Sequence, residues 1–244
     1  MTTPALAQNV RGKGRHYAHP TEGLVPSVTN VIGILDKPAL PRWAAKMVAE
    51  RAALMKRSLP LMDDGDIVDS LKAVPWQRSN RAADRGTDIH DYLEKRLLGE
   101  EGPLLSDDAR PYKAAADDWF ENAGIEVWAT ELTVFHPTYA GTVDFVGKRD
   151  DRWVIGDFKT SKAIYPEAAL QLSALWGCLT MHDGEVVPWR ESGVEPCDLL
   201  VVRIGADGWE EAQVADPDRN LMVFHALVDA WHWKHTSPYT EADA

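Results

Sequence analysis

The hydrophobic rhythm of the chain changes near residue 125: before it apolar residues recur mostly at helical spacing, and after it they fall into short runs rich in Val, Thr, Trp and Phe. Ser27 or Thr29 starts a capped helical region over 27–57, interrupted by Pro38 and Pro41, in which RWAAKMVAERAALMKR is alanine-rich. LPLMDDGD breaks the pattern around 60–66. A second helix is predicted over about 80–98, closed by Gly99, and a third over about 106–122, closed by Asn122 and Gly124. EVWATELTVF, YAGTVDFVGK and RWVIGDFKT, separated by turn residues, predict three strands. A helix follows in YPEAALQLSALWGCLTM, with Pro166 and Glu167 suited to its first turn, then a polar loop over 182–197. DLLVVRIG is short and apolar enough for a buried strand, GWEEAQV is its candidate hairpin partner, and an amphipathic helix closes the pattern over about 217–234. This order predicts an α/β fold in which a central mixed sheet is flanked by helices, with an N-terminal helical elaboration. It reads as one domain over 1–244, divided into a helical N-terminal region (1–79), a core (80–215) and a C-terminal helix and tail (216–244).

Two carboxylates and a lysine interrupt the otherwise apolar strands of GTVDFVGKRDDRWVIGDFKTSK. If those strands form a hairpin turning at Asp150 and Asp151, the register places Asp144 opposite Asp157, with Cβ atoms about 5 Å apart. Lys159 then shares their face, because side chains alternate with period two. That face also carries Trp153, Ile155 and Val146, and the other face carries Val143, Phe145, Val154 and Phe158. Adjacent carboxylates repel unless a proton or a cation lies between them, and clustered oxygens suit Mg²⁺ or Mn²⁺. A lysine beside such a cation can orient water or stabilise charge growing on a phosphate. On residue types alone, an Asp-x-Lys triplet is equally compatible with a structural ion pair.

Composition narrows the classes of function. The 244 residues are 45% hydrophobic and 26% charged, as in ordinary globular proteins. Neither an apolar signal-peptide core at the N-terminus nor a membrane-length apolar run is present, so a cytoplasmic location, without a membrane partner, is expected. Two cysteines, Cys178 and Cys197, are too few for a four-cysteine zinc site or iron-sulfur cluster. The net charge of −12 argues against nucleic-acid binding by bulk electrostatics, yet residues 1–57 carry nine Lys or Arg against three acids. A basic segment on an acidic body suggests polyanion steering toward an acidic centre; a solvated helix surface explains it equally well.

Further along the chain, His90 and Glu94 lie one helical turn apart, with His90 at the border of the stripe formed by Ile89, Leu93 and Leu97. Gly86 inside the same helix costs about 1 kcal/mol relative to Ala, which close approach to the backbone would explain. Arg78, Arg81 and Arg85 share a face and are candidate phosphate contacts. Gln171 sits in an apolar stripe, where a buried amide needs partners. Glu131 belongs either to the same polar cluster or to an exposed strand surface. Trp43 and Trp76, beside basic residues, are candidates for stacking on unpaired bases. His232 and His235 are a candidate chelating pair that a helix end explains adequately.

The ordered set RGTDIH, Glu131, GTVDF, GDFKTSK and Gln171 resembles the PD-(D/E)xK nuclease superfamily, in its RecB-like exonuclease branch, which includes RecB and AddB nuclease domains and CRISPR adaptation nucleases. The similarity covers about 80–180, and SVTNVIGILDKPALPRWA at 27–44 is similar to the N-terminal region of phage-encoded members. The resemblance implies a restriction-endonuclease-like core. It also implies metal ligation by His90, Asp144, Asp157 and the Phe158 carbonyl, and a catalytic set of Asp144, Asp157 and Lys159, joined by Gln171 and Glu131. Gln171 corresponds to the glutamine of the branch's QxxxY element, but four residues on stands Leu175, so Trp176 is the candidate for the missing aromatic DNA contact, alongside Arg78, Arg81 and Arg85. The cluster-binding cysteines of many relatives are absent, which implies Mg²⁺ or Mn²⁺ and no iron-sulfur cluster. The expectation is a metal-dependent DNA exonuclease of phage or bacterial recombination or repair, leaving 5′-phosphates. The chain lacks a P-loop, so processivity requires a homo-oligomer or a partner such as a recombinase, a single-strand-binding protein or a helicase. Its rivals are a non-catalytic DNA-binding or scaffold protein on the same fold and a structure-specific endonuclease or RNA nuclease.

Overall fold

The computed structural model describes residues 6–190 and 197–236; the expected C-terminal tail lies outside these. Its centre is a six-stranded sheet built on the predicted meander: β4 (Glu126–His136), β5 (Tyr139–Arg149) and β6 (Arg152–Lys159). The turn between β5 and β6 is the two-residue Asp150–Asp151 loop, both residues having positive φ (50° and 64°), as a tight hairpin that follows strand twist requires. β6 then passes through α5 (Pro166–Trp176) to β8 (Asp198–Gly205), which runs parallel to it, and β9 (Gly208–Gln213) closes that side as a hairpin. With the short β7 (Thr180–Met181) on β4, the order is β7-β4-β5-β6-β8-β9, a mixed sheet with helices on both faces. The α/β class is thus as the sequence order predicts.

One face packs against α1 (Val28–Ile32), α5 and α6 (Pro217–His235), through Ile155, Leu172, Leu199 and Phe224 among others. The opposite face packs against α3 (Asp64–Leu97) and α4 (Lys113–Asn122), where Phe145 and Phe158 meet Trp119 and Leu93. Gly156 must lack a side chain, because a Cβ there would lie 1.8 Å from the Phe145 ring.

Three expectations are corrected. Residues 7–26 are not helical; they form an antiparallel sheet of β1 (Ala7–Val10), β2 (Gly14–His19) and β3 (Gly23–Pro26), which packs Tyr17 and Val25 on Phe135 and Ala140. The break at 60–66 is real but short, and α3 starts at Asp64 with Pro75 inside it, so it crosses the expected boundary at 79. Pro41 does not interrupt α2 (Ala39–Met55), since the first turn of a helix has no use for its missing N–H. Among the described residues, no helix is long and apolar enough to cross a membrane.

Candidate metal centre and cleft

The sheet is irregular where its carboxylates stand. Ala129 packs into the α5-side core, but so do Leu132 and Val134, a change of parity that a regular strand cannot make. It occurs at Glu131, whose backbone adopts a left-handed φ of 47°, costly for a residue with a side chain. β5 makes the same change, with Val143 and Val146 both in the α5-side core while Phe145 faces α4. Val143 therefore does not share the Phe145 face, as strict alternation predicts. The β4–β5 ladder pairs Thr130 with Phe145 and Leu132 with Val143 but skips Glu131 and Asp144. Both carboxylates fall at this irregularity, on the side where α3 crosses.

Between β5 and β6 the register is the expected one as far as Phe145–Gly156, one pair short of Asp144–Asp157. There the Asp144 side chain takes over from the ladder: the Phe158 N–H donates to its Oδ2 at 2.6 Å. His90, on α3, donates from Nε2 to the Phe158 carbonyl at 3.1 Å, which leaves Nδ1 3.4 Å from the same Asp144 oxygen. A carbonyl only accepts, so the proton sits on Nε2 and the Nδ1 lone pair faces a carboxylate, a pairing that needs a second proton or a cation between the two. Ligand atoms of His90, Glu131 and Asp144 all lie within 4.8 Å of one another. Glu131 is open to the solvent of the cleft but enclosed by protein. Burial, followed by the charges of Asp144, Glu94, Asp91 and Asp157, pushes its pKa up to about 8.

Asp157 turns elsewhere. It is 2% exposed, and its Oδ1 accepts from Gln171 Nε2 at 2.6 Å while its Oδ2 lies 2.5 Å from Lys159 Nζ, close in charge but poorly aligned for a hydrogen bond. Lys159 also donates to Gln171 Oε1 at 3.1 Å. The amide, half-buried between the two spaces, finds its partners in the expected carboxylate and lysine. Burial pulls the Lys159 pKa down, but Asp157 and Asp144 outweigh it, and the ammonium form is held. Burial raises the Asp157 pKa, with Lys159 opposing.

The carboxylates open into a cleft of about 840 Å³ between α3, the β4–β5 rim and the N-terminal sheet. Its lining joins the acidic group of His90, Asp91, Glu94, Glu131 and Asp144 with Arg15, Tyr17, Thr142 and His182. Tyr17 O–H and Thr142 Oγ1 are 3.0 Å apart. Lys159 lines an adjoining recess of about 180 Å³, together with Lys37, Ser161 and Tyr165; Gln171 and Thr29 border both spaces. Gly86 lines the cleft as α3 passes β6, and a Cβ there would lie 3.3 Å from Thr160 Oγ1.

Not every expected residue joins this site. Phe158 offers its carbonyl to His90 rather than to the cluster, so in this arrangement it orients the imidazole. Arg78, Arg81 and Arg85 lie away from the cleft: at 100° per residue, Arg81 is half a turn from His90, and Arg85 stacks over the Tyr112 ring at 5.0 Å. Trp176 lies outside the cleft lining, with the Arg190 guanidinium 4.3 Å from its ring, while Leu175 lines the cleft instead. His232 and His235 pack around Trp231, and His235 Nδ1 bonds the Trp231 carbonyl. Arg15 and His182 were not anticipated. Period-two alternation in GRHYAH pairs Arg15 with Tyr17 on one face, a signal that emerges only once the segment is read as a strand.

No family model matches the chain, and no curated protein matches it. Thirteen chains of solved structures do. One, described as the crystal structure of SSO0001, aligns at 15% identity with a TM-score of 0.30 over 53% of this chain and 59% of that one. The present chain thus spans less than two thirds of that protein, and a likeness of this degree carries no functional argument.

The raised pKa of Glu131 has a testable sign. Its carboxyl retains a proton in the folded state between its ordinary value of 4.5 and about 8, where the unfolded chain has released it, so without metal its contribution to stability falls as pH rises through that window. A cation held by ionised Glu131 must displace that proton. The thermal shift produced by a fixed Mn²⁺ concentration should therefore grow from pH 6 to pH 8.5, and a shift independent of pH would contradict the assignment.

Proposed function

We infer that the protein is a metal-dependent deoxyribonuclease that hydrolyses phosphodiester bonds, working as an exonuclease in phage or bacterial DNA recombination or repair. The observation that carries this reading is the juxtaposition at one sheet rim of two sets. One is the His90–Glu131–Asp144 cluster, and the other is the Asp157–Lys159–Gln171 triad. The donor set of one imidazole and two carboxylates fits Mn²⁺ or Mg²⁺, as does the imidazole lone pair turned toward a carboxylate. When bound, such a cation supplies Lewis-acid polarisation and an activated water.

The residues divide the remaining work. His90 holds its tautomer through the Phe158 carbonyl and presents Nδ1 to the cluster. Asp144 is fixed by the Phe158 N–H, so its free lone pairs face the cleft. Lys159, held as an ammonium by Asp157 and Gln171, is no proton acceptor; its role is to stabilise negative charge on the phosphate as the bond breaks. Arg15 also lines the cleft and is a cation available to a neighbouring phosphate.

A gel assay with end-labelled linear, circular and single-stranded DNA tests the reading. Linear DNA should be degraded from its ends, at least as fast in Mn²⁺ as in Mg²⁺, and EDTA should abolish the activity. Undiminished cleavage in EDTA, or no cleavage of any DNA with either metal, would overturn it.

A further inference from the structure

The cleft face of α3 continues well beyond the cleft. His90, Thr87 and Ala83 line the cleft. Seven residues before Ala83, two helical turns out along the same face, stands Trp76, 68% exposed. Pro75 precedes it, so the turns from Trp76 to His90 are not interrupted by the hydrogen bond that a proline removes from the turn before it. Between Trp76 and the cleft this face carries only small or polar side chains, Ser79 and Asn80 among them, and Lys72 follows one turn further out, with Asp69 beyond it. At 1.5 Å per residue, Trp76 lies about 21 Å along the helix from His90.

A protein-docking patch would surround its aromatic anchor with other apolar groups, whereas between Trp76 and the cleft the helix positions on this face are small or polar, and the next one outward is a lysine. Those are the elements that receive a nucleic-acid strand: an aromatic platform for a base and a cation for its phosphate. Base pairs in a duplex hide their faces from such a platform; an unpaired strand does not. About 21 Å corresponds to roughly six nucleotides at a stacked spacing of about 3.4 Å, and to fewer in an extended strand.

Building on the nuclease reading, we propose that the exposed face of α3 from Thr87 to Trp76 is a track for an unpaired DNA strand, with Trp76 stacking on a base a few nucleotides from the cleft. The strand state of the substrate is what this adds. Trp76 touches none of the reacting groups, so it acts through binding of the longer strand and not through the chemistry.

The test is fluorescence anisotropy with labelled oligothymidylates of about four and about twelve nucleotides and a duplex of the longer length, in Ca²⁺, with gels to confirm that the probes stay intact. Trp76→Ala should bind the longer strand about ten- to a hundredfold more weakly and the shorter one unchanged, while Trp76→Phe retains most of the affinity. Equal affinities of Trp76→Ala and wild type for the longer strand would overturn the track. Preference of the wild type for the duplex, or failure to bind single strands of either length, would overturn it too. Metal-dependent cleavage by the same wild-type preparation decides the nuclease reading separately, so the two can fail independently.

Discussion

Replacing Lys159 with alanine is expected to reduce cleavage by two to three orders of magnitude, the usual cost of removing one preorganised charge from a developing oxyanion. It should also destabilise the fold by about 3 kcal/mol, because Asp157, 2% exposed, would be left buried without the cation that pairs it. The double variant Lys159→Met with Asp157→Asn separates the two effects, since it removes both charges. It should recover much of the stability while remaining inactive. Urea titration gives the stability and a single-turnover assay gives the rate. A Lys159→Ala protein that is folded, loaded with metal and fully active would end the assignment of this lysine.

The second large effect concerns the fold alone. Gly156→Ala should destabilise by about 3 kcal/mol or more, because the new methyl group would enter the Phe145 ring, itself fully buried and packed 5.6 Å from Trp119 and 5.0 Å from Phe158. Phe145→Leu in the same background should restore part of the loss by vacating that space. Thermal unfolding checks this, and a Gly156→Ala protein as stable as wild type would show that the ring does not lie where the structure places it. The glycine of GDFK thus has a packing reason that is independent of any chemistry at its neighbours.

The meander, its Asp150–Asp151 turn and the β5–β6 register were legible in the sequence because short β-branched runs bounded by turn residues carry local information. Gln171 was legible for a different reason: an amide within an apolar stripe must find a partner, and it has two. What escaped was set by tertiary context. The strands of residues 7–26 are four to six residues long and rich in glycine and polar residues, and they exist because Tyr17 and Val25 cover Phe135. Pro75 and Gly86 disguised the length of α3, whose packing on the sheet tolerates both. The change of parity at Glu131 leaves no periodic trace, since it depends on a single backbone dihedral, and with it went the grouping of Glu131, instead of Asp157, with His90 and Asp144. The orientation of the arginines was available: nine residues between Arg81 and His90 already make half a turn.

A nuclease of this design requires His90, Glu131 and Asp144 to hold a divalent cation together. Electron paramagnetic resonance of bound Mn²⁺ measures this directly, through the occupancy of the site and the electron-spin-echo modulation from an imidazole nitrogen. The wild type should bind Mn²⁺ saturably and show that modulation; His90→Ala should lose the modulation, and Glu131→Gln and Asp144→Asn should each weaken binding at least tenfold. Saturable Mn²⁺ binding that is unchanged in all three variants, or no bound Mn²⁺ in a folded wild type at pH 8, would contradict it.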